Sequence, residues 1–549
     1  MEGLSSMKNI LFIIPPYFNI QDFICEEKKS ILPTFTIPYG VLSIYSYIKK
    51  YSKYTVNAEL LDLNLEIFKN INQNQYQVDF LIDSYKKLIL EKLRKNFDIV
   101  AVSALFNTCY DYIESILSVV KSGDELPVTV IGGGLASNLF DKILNDFPLL
   151  DGVCYGEGEI PMTDLINSDN YIECMNTHRS WVTAESLQDE KTPAASYVEN
   201  LDDIPIFMYE LIDINEYNSR SVDVCNKGNE LRRELSIHTS RGCPFKCVYC
   251  ANISLHGNRI RYMSIERVVG EVDVMIKEFD MNTLLIEDDH FLGNKKRAAS
   301  ILKELTKRNI NIEFPNGLAV YAIDEDISLL LRKAGVRTVN LAVESGSDFV
   351  LKNLINKPLR KNQIKRAVDI LRKNGVRSHA FIVLGIPGEM DEHRAETIIM
   401  IKETGFDWVH FFIAIPIAGS RLYDLCIDNN YLVEKDFRNH IISKGAIRAP
   451  GVDPEEIVRI SYTMNLEVNF IFNYNLVSQN YEIAISYFKN IMQKYPEHAF
   501  VYYALSECYK LSGKDINLAK KYASNFQKII NSDPEWRFYA EHFGLLDYE

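Results

Sequence analysis

The chain has 549 residues, too many for one hydrophobic core, so we expect at least three domains. Its net charge of −14 argues against a nucleic acid as the partner, and no apolar run reaches the roughly 18 residues of a membrane span. The apolar stretch near the start lacks the cleavage site of a signal peptide.

The first 165 residues alternate short apolar strands with helical segments. Because Val/Ile/Leu-rich strands separated by helices are typical of a covered parallel sheet, residues 1–165 predict a doubly wound, Rossmann-like domain. Residues 166–230 have no clear periodicity and are interpreted as a linker. The predicted strands are 9–16, 56–63, 98–105, 128–134 and 151–159.

The carboxyl ends of these strands carry glycines and small polar residues. Ligands of doubly wound sheets bind beyond the carboxyl ends of the strands, so this edge predicts a binding surface. Glycines there let a large, flat ligand approach the backbone, although tight turns without a ligand use the same residues. The candidate residues are Ser103, Gly132, Gly133, Gly134, Gly156, Glu157 and Gly158.

A second alternating block runs from 231 to 430 and predicts a partial (β/α)6 barrel of the TIM type. The chemistry of such barrels lies at the carboxyl ends of their strands. Residues 431–549 are predicted to be helical and resemble a tetratricopeptide-type helix pair that packs on the barrel or covers its opening. The predicted barrel strands are 234–240, 283–289, 311–317, 338–345, 378–385 and 408–416.

Three of the ten cysteines form a tight cluster with the spacing C-x3-C-x2-C, namely Cys243, Cys247 and Cys250. Three thiolates directly after a strand can ligate three irons of a [4Fe–4S] cluster and leave the fourth iron open for catalysis. A structural zinc site needs a fourth ligand, and His256 does not lie at a usual zinc spacing. The other cysteines are sparse, which favours a reducing compartment, the cytoplasm.

The motif R-G-C-P-F-K-C-V-Y-C (241–250) resembles the signature of the radical S-adenosylmethionine (SAM) superfamily. The acidic turn 287–289, the turn 344–347, the segment FIVLGIPGE (381–389) and the turn PIAGSRLY (416–423) resemble further motifs of that superfamily in the same order. The resemblance implies SAM chelated to the open iron and a 5′-deoxyadenosyl radical. It implies SAM contacts for Tyr249, Glu287, Asp288, Glu344, Ser345 and Gly385, to which we add Asn316 at a barrel strand end.

A doubly wound domain before such a barrel resembles the cobalamin-binding radical SAM enzymes, the class B methyltransferase-like group. The segment IPYGVLS (37–43) and the glycine-rich turns at 132–134 and 156–158 resemble that group's N-terminal motifs. The D-x-H-x-x-G motif, whose histidine binds cobalt, is absent. The resemblance therefore implies cobalamin bound without a histidine ligand.

The resemblance implies a methyltransferase that acts on an unactivated carbon through the 5′-deoxyadenosyl radical and methylcobalamin. Cyclisation or rearrangement without methyl transfer is the alternative. A methylthiotransferase is disfavoured because the N-terminal cysteines do not match that group, and an electron carrier because it would use four cysteines. We expect a small-molecule, lipid or peptide substrate, a flavodoxin- or ferredoxin-type reductant, and neither a nucleic acid nor a membrane span.

Overall fold

The structure is a computed structural model, and it describes residues 7–27, 35–72, 77–123, 126–217, 232–440 and 444–548. The first sheet is built from β1 to β6 and the barrel from β7 and β10 to β14, while β8 and β9 form a separate pair. The strands are β1 (Met7–Ile14), β2 (Thr55–Asp62), β3 (Ile99–Ser103), β4 (Val128–Gly132), β5 (Gly152–Cys154), β6 (Trp181–Val182), β7 (Glu234–Ile237), β8 (Ser240–Arg241), β9 (Arg261–Tyr262), β10 (Thr283–Ile286), β11 (Asn311–Glu313), β12 (Thr338–Glu344), β13 (Arg377–Leu384) and β14 (Trp408–Ile413).

Helices connect these strands and form the C-terminal region. They are α1 (Ile20–Glu27), α2 (Tyr39–Tyr51), α3 (Leu63–Asn72), α4 (Val78–Leu93), α5 (Tyr110–Val120), α6 (Gly134–Asn138), α7 (Phe140–Asp146), α8 (Glu159–Asn167), α9 (Tyr171–Thr177), α10 (Ala184–Gln188), α11 (Ile214–Tyr217), α12 (Asn252–His256), α13 (Ile265–Phe279), α14 (Lys295–Leu305), α15 (Glu325–Lys333), α16 (Lys361–Lys373), α17 (Asp391–Thr404), α18 (Arg421–Asp428), α19 (Pro454–Leu466), α20 (Tyr474–Val477), α21 (Tyr481–Lys494), α22 (Ala499–Ser512), α23 (Ile516–Ser532) and α24 (Pro534–His542). Ser264 is the N-cap of α13, since its side chain accepts a hydrogen bond from the Arg267 amide.

The first sheet has the strand order β2-β1-β3-β4-β5-β6, with parallel pairing from β2 to β5. Strand order reverses between β1 and β3, and this switch point opens a crevice at the carboxyl ends of both strands. The doubly wound fold predicted for this part of the chain is confirmed.

The sheet extends into the segment that was interpreted as a linker. β6 pairs antiparallel with β5, and α9 and α10 flank it. The sequence analysis missed this strand because two residues show no alternation. The predicted boundary at residue 165 lies inside α8, and residues 218–230 of the linker lie outside the described residues.

The barrel is an arc of six parallel strands in chain order. β7, β10 and β11 form one sheet and β12, β13 and β14 another, and a parallel bridge between Leu318 and Leu341 joins them. A parallel α/β barrel of six units is therefore confirmed. An added antiparallel pair, β8 and β9, flanks the cysteine motif.

Of the C-terminal helices, α21 packs against the first residue of β14, whereas α19 lies beside Gly385, directly after β13. Trp408, the first residue of β14, stacks on Tyr487 of α21 with ring centroids 5.9 Å apart. Asn469 closes the free edge of β14, because its side-chain amide accepts from the Val409 N–H and donates to the Val409 carbonyl. In the described part of the chain, no helix is long and apolar enough to cross a membrane.

Candidate active site

A cavity of about 430 Å³ opens at the carboxyl ends of the barrel strands. All of its lining residues come from the barrel, between positions 243 and 412, so the C-terminal helices do not cover it. Its polar wall consists of Cys243, Cys247, Cys250, Asn252, Asp289, Asn316, Glu344 and Lys357, and its aromatic wall of Phe245, Tyr249, His290, Tyr321, Phe381 and Phe412.

The cysteines lie in a loop that begins at β8 and returns through β9. Gly242, just before the first cysteine, has a φ of +91°, and a Cβ there would lie 2.5 Å from the Arg259 carbonyl oxygen. Only glycine fits this close approach without strain. The middle of the loop is anchored to the barrel, because the Val248 N–H donates to the Ile355 carbonyl at 2.9 Å.

Burial raises the pKa of all three thiols, and that of Cys247 reaches about 11. Within the described ranges, no three His, Cys, Asp or Glu side chains converge on a point that one metal ion could occupy. A [4Fe–4S] cluster binds its three thiolates at three different irons, and Cys243, Cys247 and Cys250 all line this one cavity. The donor set therefore fits an iron–sulfur cluster better than a single zinc ion.

The two aspartates of the acidic turn after β10 point in different directions. Asp288 is buried and turned into the protein, where it accepts from the Thr239 N–H at 2.5 Å and from the Thr239 and Ser240 hydroxyls at 2.6 Å. Asp289 lines the cavity and accepts from the Gly242 N–H at 2.9 Å. Asp288 thus holds the strand that leads into the cysteine loop, and its expected contact with SAM stays a prediction.

The side chain of Glu287 is half-buried and is not part of the cavity wall. Its side chain accepts from the Ser236 hydroxyl at 3.0 Å and lies 3.6 Å from His238 Nε2. Its carbonyl accepts from the Asn316 side-chain amide at 2.8 Å, which orients Asn316 at the cavity wall. Of these two predicted residues, the structure brings only Asn316 to the cysteines.

Glu344 occupies the cavity wall in a strained backbone conformation. Its φ of +68° lies in the left-handed region, which costs a non-glycine residue about 1–3 kcal/mol and is concentrated at ligand sites. Lys357 Nζ donates to Glu344 Oε1 at 2.8 Å. Burial, and then the nearby Glu344 carboxylate, raise the pKa of Tyr249 well above its ordinary value. Lys357 escaped the sequence analysis because it lies in a loop without a motif.

Ser345, expected beside Glu344 in the site, faces the opposite direction. Its hydroxyl is fully buried, lies 3.2 Å from Thr397 Oγ1 and accepts from the Ser347 N–H. Of these two neighbouring residues, only Glu344 lines the cavity.

Gly385 directly follows β13, lies outside the cavity wall and packs against Ile457 of α19. Its φ is +84°, and a Cβ there would lie 3.1 Å from Ile457. Its N–H donates to Glu389 Oε2 at 2.7 Å, while Glu389 Oε1 has no hydrogen-bond partner among the described residues. Burial raises the pKa of Glu389 to about 7.

Glu389→Gln is expected to raise the melting temperature at pH 8 by a few degrees but not at pH 4.5. The raised pKa means that the folded protein keeps the Glu389 proton while the unfolded chain loses it near pH 4.5, so wild-type stability falls as the pH rises from 4.5 to 7. Glutamine is neutral throughout. Thermal unfolding at both pH values measures this, with Glu392→Gln, at an exposed neighbouring position, as the control. If the melting temperatures of the wild type and Glu389→Gln changed with pH in parallel, the prediction would be contradicted.

The carboxyl edge of the first sheet combines glycines with exposed apolar side chains. Ser103, Gly132 and Gly134 are half-buried there, and Leu105 and Phe106 are 54% and 55% exposed. Gly133 has a φ of +106°, and a Cβ would overlap the Ala104 carbonyl oxygen. Gly133 is therefore required by packing, while the remaining positions leave an apolar surface at the switch point.

The turn 156–158 faces neighbouring elements instead of an open ligand surface. A Cβ on Gly156 would lie 2.5 Å from that of Ala195, and one on Gly158 would lie 2.5 Å from Ile44. Glu157 is 4% exposed and pairs with Arg261 of β9 at 2.5 Å. Glu157 thus joins the first sheet to the segment that returns from the cysteine loop, and the cobalamin contacts expected of these three residues stay a prediction.

The sequence of residues 237–401 matches the family model of the Radical SAM superfamily. The chain is 28% identical over 481 residues to the cytidylyl-2-hydroxyethylphosphonate methyltransferase of Streptomyces wedmorensis, covering 80% of this chain and 87% of that protein. It is 28% identical over 333 residues to the anaerobic magnesium-protoporphyrin IX monomethyl ester cyclase of Rubrivivax gelatinosus, covering 59% and 58% of the two chains.

The fold is also similar to that of a solved enzyme. The cobalamin-dependent SAM radical enzyme OxsB, solved with aqua-cobalamin and SAM, superposes with a TM-score of 0.64 over 98% of this chain and 80% of that chain. The two sequences are 14% identical, so the likeness concerns the fold. It includes the first sheet, the barrel and the C-terminal helices.

Proposed function

We propose that this protein, whose residues 237–401 form a radical SAM domain, is a cobalamin-dependent radical SAM enzyme that methylates an unactivated carbon. The observation that carries the proposal is the shared cavity. Three thiols with C-x3-C-x2-C spacing, two carboxylates and a lysine face one another at the carboxyl ends of a parallel barrel.

Cys243, Cys247 and Cys250 would hold the [4Fe–4S] cluster, and SAM would lie against Tyr249, Asn316 and Glu344. When bound, the cluster and SAM supply a carbon-centred radical that abstracts hydrogen from unactivated carbon, and cobalamin supplies a methyl donor. Lys357 and Asp289 would meet the charged groups of the amino-acid portion of SAM. Phe245, Phe381 and Phe412 would exclude water from the reacting carbon.

Cobalamin would bind at the carboxyl edge of the first sheet. Ser103, Gly132 and Gly134 line this edge, and the exposed Leu105 and Phe106 offer an apolar surface to a corrin ring. The first histidine of the chain is His178, whose Nε2 lies 3.5 Å from the Asp164 carboxylate, so residues 1–177 offer no imidazole to cobalt. Hydroxocobalamin bound to this domain is expected to have the absorption spectrum of a form without histidine ligation.

The test is anaerobic reconstitution of the full chain with iron, sulfide, hydroxocobalamin and SAM, followed by mass spectrometry. Formation of both 5′-deoxyadenosine and S-adenosylhomocysteine supports methyl transfer. Deoxyadenosine alone supports a cobalamin-dependent cyclisation or rearrangement, the second candidate, which the likeness to a cyclase favours. Absence of both products contradicts the proposal.

The charge of the chain, the lining of the cavity and the state of the cysteines bear on the substrate, the electron donor and the cellular location. We propose a small-molecule, lipid or peptide substrate, because the chain is acidic and the cavity is bordered by aromatic rings. A flavodoxin- or ferredoxin-type protein would supply the electron. The described cysteines form no disulfide, which accords with a cytoplasmic location.

Glu344→Ala is expected to weaken SAM binding by about 10- to 100-fold, because a hydrogen bond to a charged group contributes about 1.5–3 kcal/mol. Ser345→Ala is the matched control. Its hydroxyl faces Thr397 instead of the cavity, so it should leave the SAM dissociation constant unchanged and lower only the melting temperature. Equilibrium dialysis of the two reconstituted variants measures their SAM dissociation constants. An equal loss of SAM affinity in both variants would refute this placement of SAM.

A further inference from the structure

One buried carboxylate of the first sheet contacts three donors that flank the cysteine motif. Glu157 lies 2.8 Å from His256 Nδ1, accepts from both terminal nitrogens of Arg261 at 2.5 and 2.9 Å, and lies 3.4 Å from Arg241 Nη1. Glu157, Arg241 and Arg261 are each 4% exposed, and His256 is half-buried. The interaction is therefore a desolvated charge cluster between two structural units.

The three donors stand on both sides of the cysteine loop. Arg241 ends β8, two residues before Cys243, while His256 ends α12 and Arg261 begins β9 on the returning segment. One carboxylate thus bridges the entry and the exit of the loop. A second carboxylate reinforces the entry, because Arg241 Nη2 donates to Glu159 Oε1 at 2.8 Å.

The same part of the first sheet reaches the glycine-rich edge. The Gly156 N–H donates to the Ser137 hydroxyl at 3.0 Å, and Ser137 lies in α6, directly after Gly132 to Gly134. Asn138 of α6 accepts from the Ser254 hydroxyl of α12 at 2.5 Å. The glycine-rich turn, the turn at 156–159 and the cysteine loop are therefore joined by direct hydrogen bonds.

We propose that Glu157 is a positioning residue that couples the two cofactor sites, so that binding at the glycine-rich edge and binding at the cysteine loop strengthen each other. This inference rests on the proposed function. A buried ion pair strongly resists separation, because either partner alone is an uncompensated charge. Loop conformations that separate Arg241 from Arg261 are thereby excluded, and a ligand that orders one end of this contact favours the other.

The test is a thermodynamic cycle on the full chain. The dissociation constant of hydroxocobalamin is measured with and without a reconstituted cluster in the wild type and in Glu157→Gln. We expect wild-type protein to bind hydroxocobalamin at least fivefold more tightly when the cluster is present, and Glu157→Gln to bind with a ratio near one. A wild-type ratio near one, or a ratio that survives Glu157→Gln, overturns the coupling.

Two further variants separate positioning from general stability. Glu271→Gln removes an equally buried carboxylate whose partner is Arg267 of the same helix, so it should retain the wild-type ratio and the wild-type electron paramagnetic resonance spectrum of the reduced cluster. Arg261→Lys keeps the charge but not the two-pronged contact, and should shift the cluster spectrum while iron still binds. A superimposable spectrum in Arg261→Lys, or an equal shift in Glu271→Gln, contradicts the proposal.

The outcomes for the wild type distinguish this proposal from the proposed function. Wild-type protein that acquires no iron–sulfur chromophore, or that binds no cobalamin, refutes the proposed function itself. Wild-type protein that binds both cofactors independently refutes only the coupling through Glu157.

Discussion

Cys247→Ala is expected to abolish the iron–sulfur chromophore and reduce SAM cleavage below detection. Two remaining thiolates cannot hold three irons of a [4Fe–4S] cluster, and the cavity wall offers no fourth cysteine in their place. Cys243→Ala and Cys250→Ala should behave alike. Iron and sulfide content after anaerobic reconstitution, together with 5′-deoxyadenosine formation, measure the effect.

Cys174→Ala is the matched control for this experiment. Cys174 is half-buried like Cys247 but lies on α9, outside the cavity. The Cys174→Ala variant should acquire the full complement of iron and cleave SAM at the wild-type rate. An unchanged chromophore in Cys247→Ala, or its loss in Cys174→Ala, would remove the basis for placing the cluster in this loop.

The architecture could be predicted from the sequence because it depends on local periodicity. Each of the eleven predicted strands begins within two residues of an observed strand. Several predicted strands end later than the observed ones, by five residues at β5, because apolar and small residues continue beyond the last hydrogen-bonded pair of the sheet. Those additional residues are the loops that build the site, where the chain leaves the regular pattern.

The orientation of individual site residues could not be predicted in the same way. The acidic turn is visible in the sequence, but Asp288 and Asp289 are adjacent, and the sequence does not indicate which of the two side chains faces the cavity. Lys357 meets Glu344 only through folding, since the contact spans 13 residues without a repeating pattern. A sequence motif locates a turn, while tertiary contacts decide which of its side chains point inward.

The glycine-rich turns show a second limit. The turns at 132–134 and 156–158 are both rich in glycine, yet only the first borders an exposed apolar surface. The second group packs against Ala195 and Ile44, which come from distant parts of the chain. Glycine indicates a close approach to the backbone, and the fold determines whether a ligand or the protein itself makes that approach.

Asp288→Ala is expected to lower the melting temperature by roughly 6–12 °C and to reduce the iron content sharply. The substitution leaves the Thr239 N–H and the Thr239 and Ser240 hydroxyls without their acceptor. Each unsatisfied buried donor costs about 1–3 kcal/mol, so the total is about 3 kcal/mol or more, and 1 kcal/mol corresponds to about 2–4 °C in a domain of this size. Because β8 leads directly into the cysteine loop, the loss should disorder the cluster ligands as well.

Asp369→Ala provides the comparison, because Asp369 lies on the surface of α16 and pairs with Lys365 and Arg372. An exposed ion pair contributes less than about 1 kcal/mol, so both melting temperature and iron content should stay close to those of the wild type. Asp288→Asn retains one carbonyl acceptor and should fall between the two. If Asp288→Ala instead bound iron fully but lost only SAM affinity, Asp288 would be a SAM ligand, and its assignment as a support of the loop would be wrong.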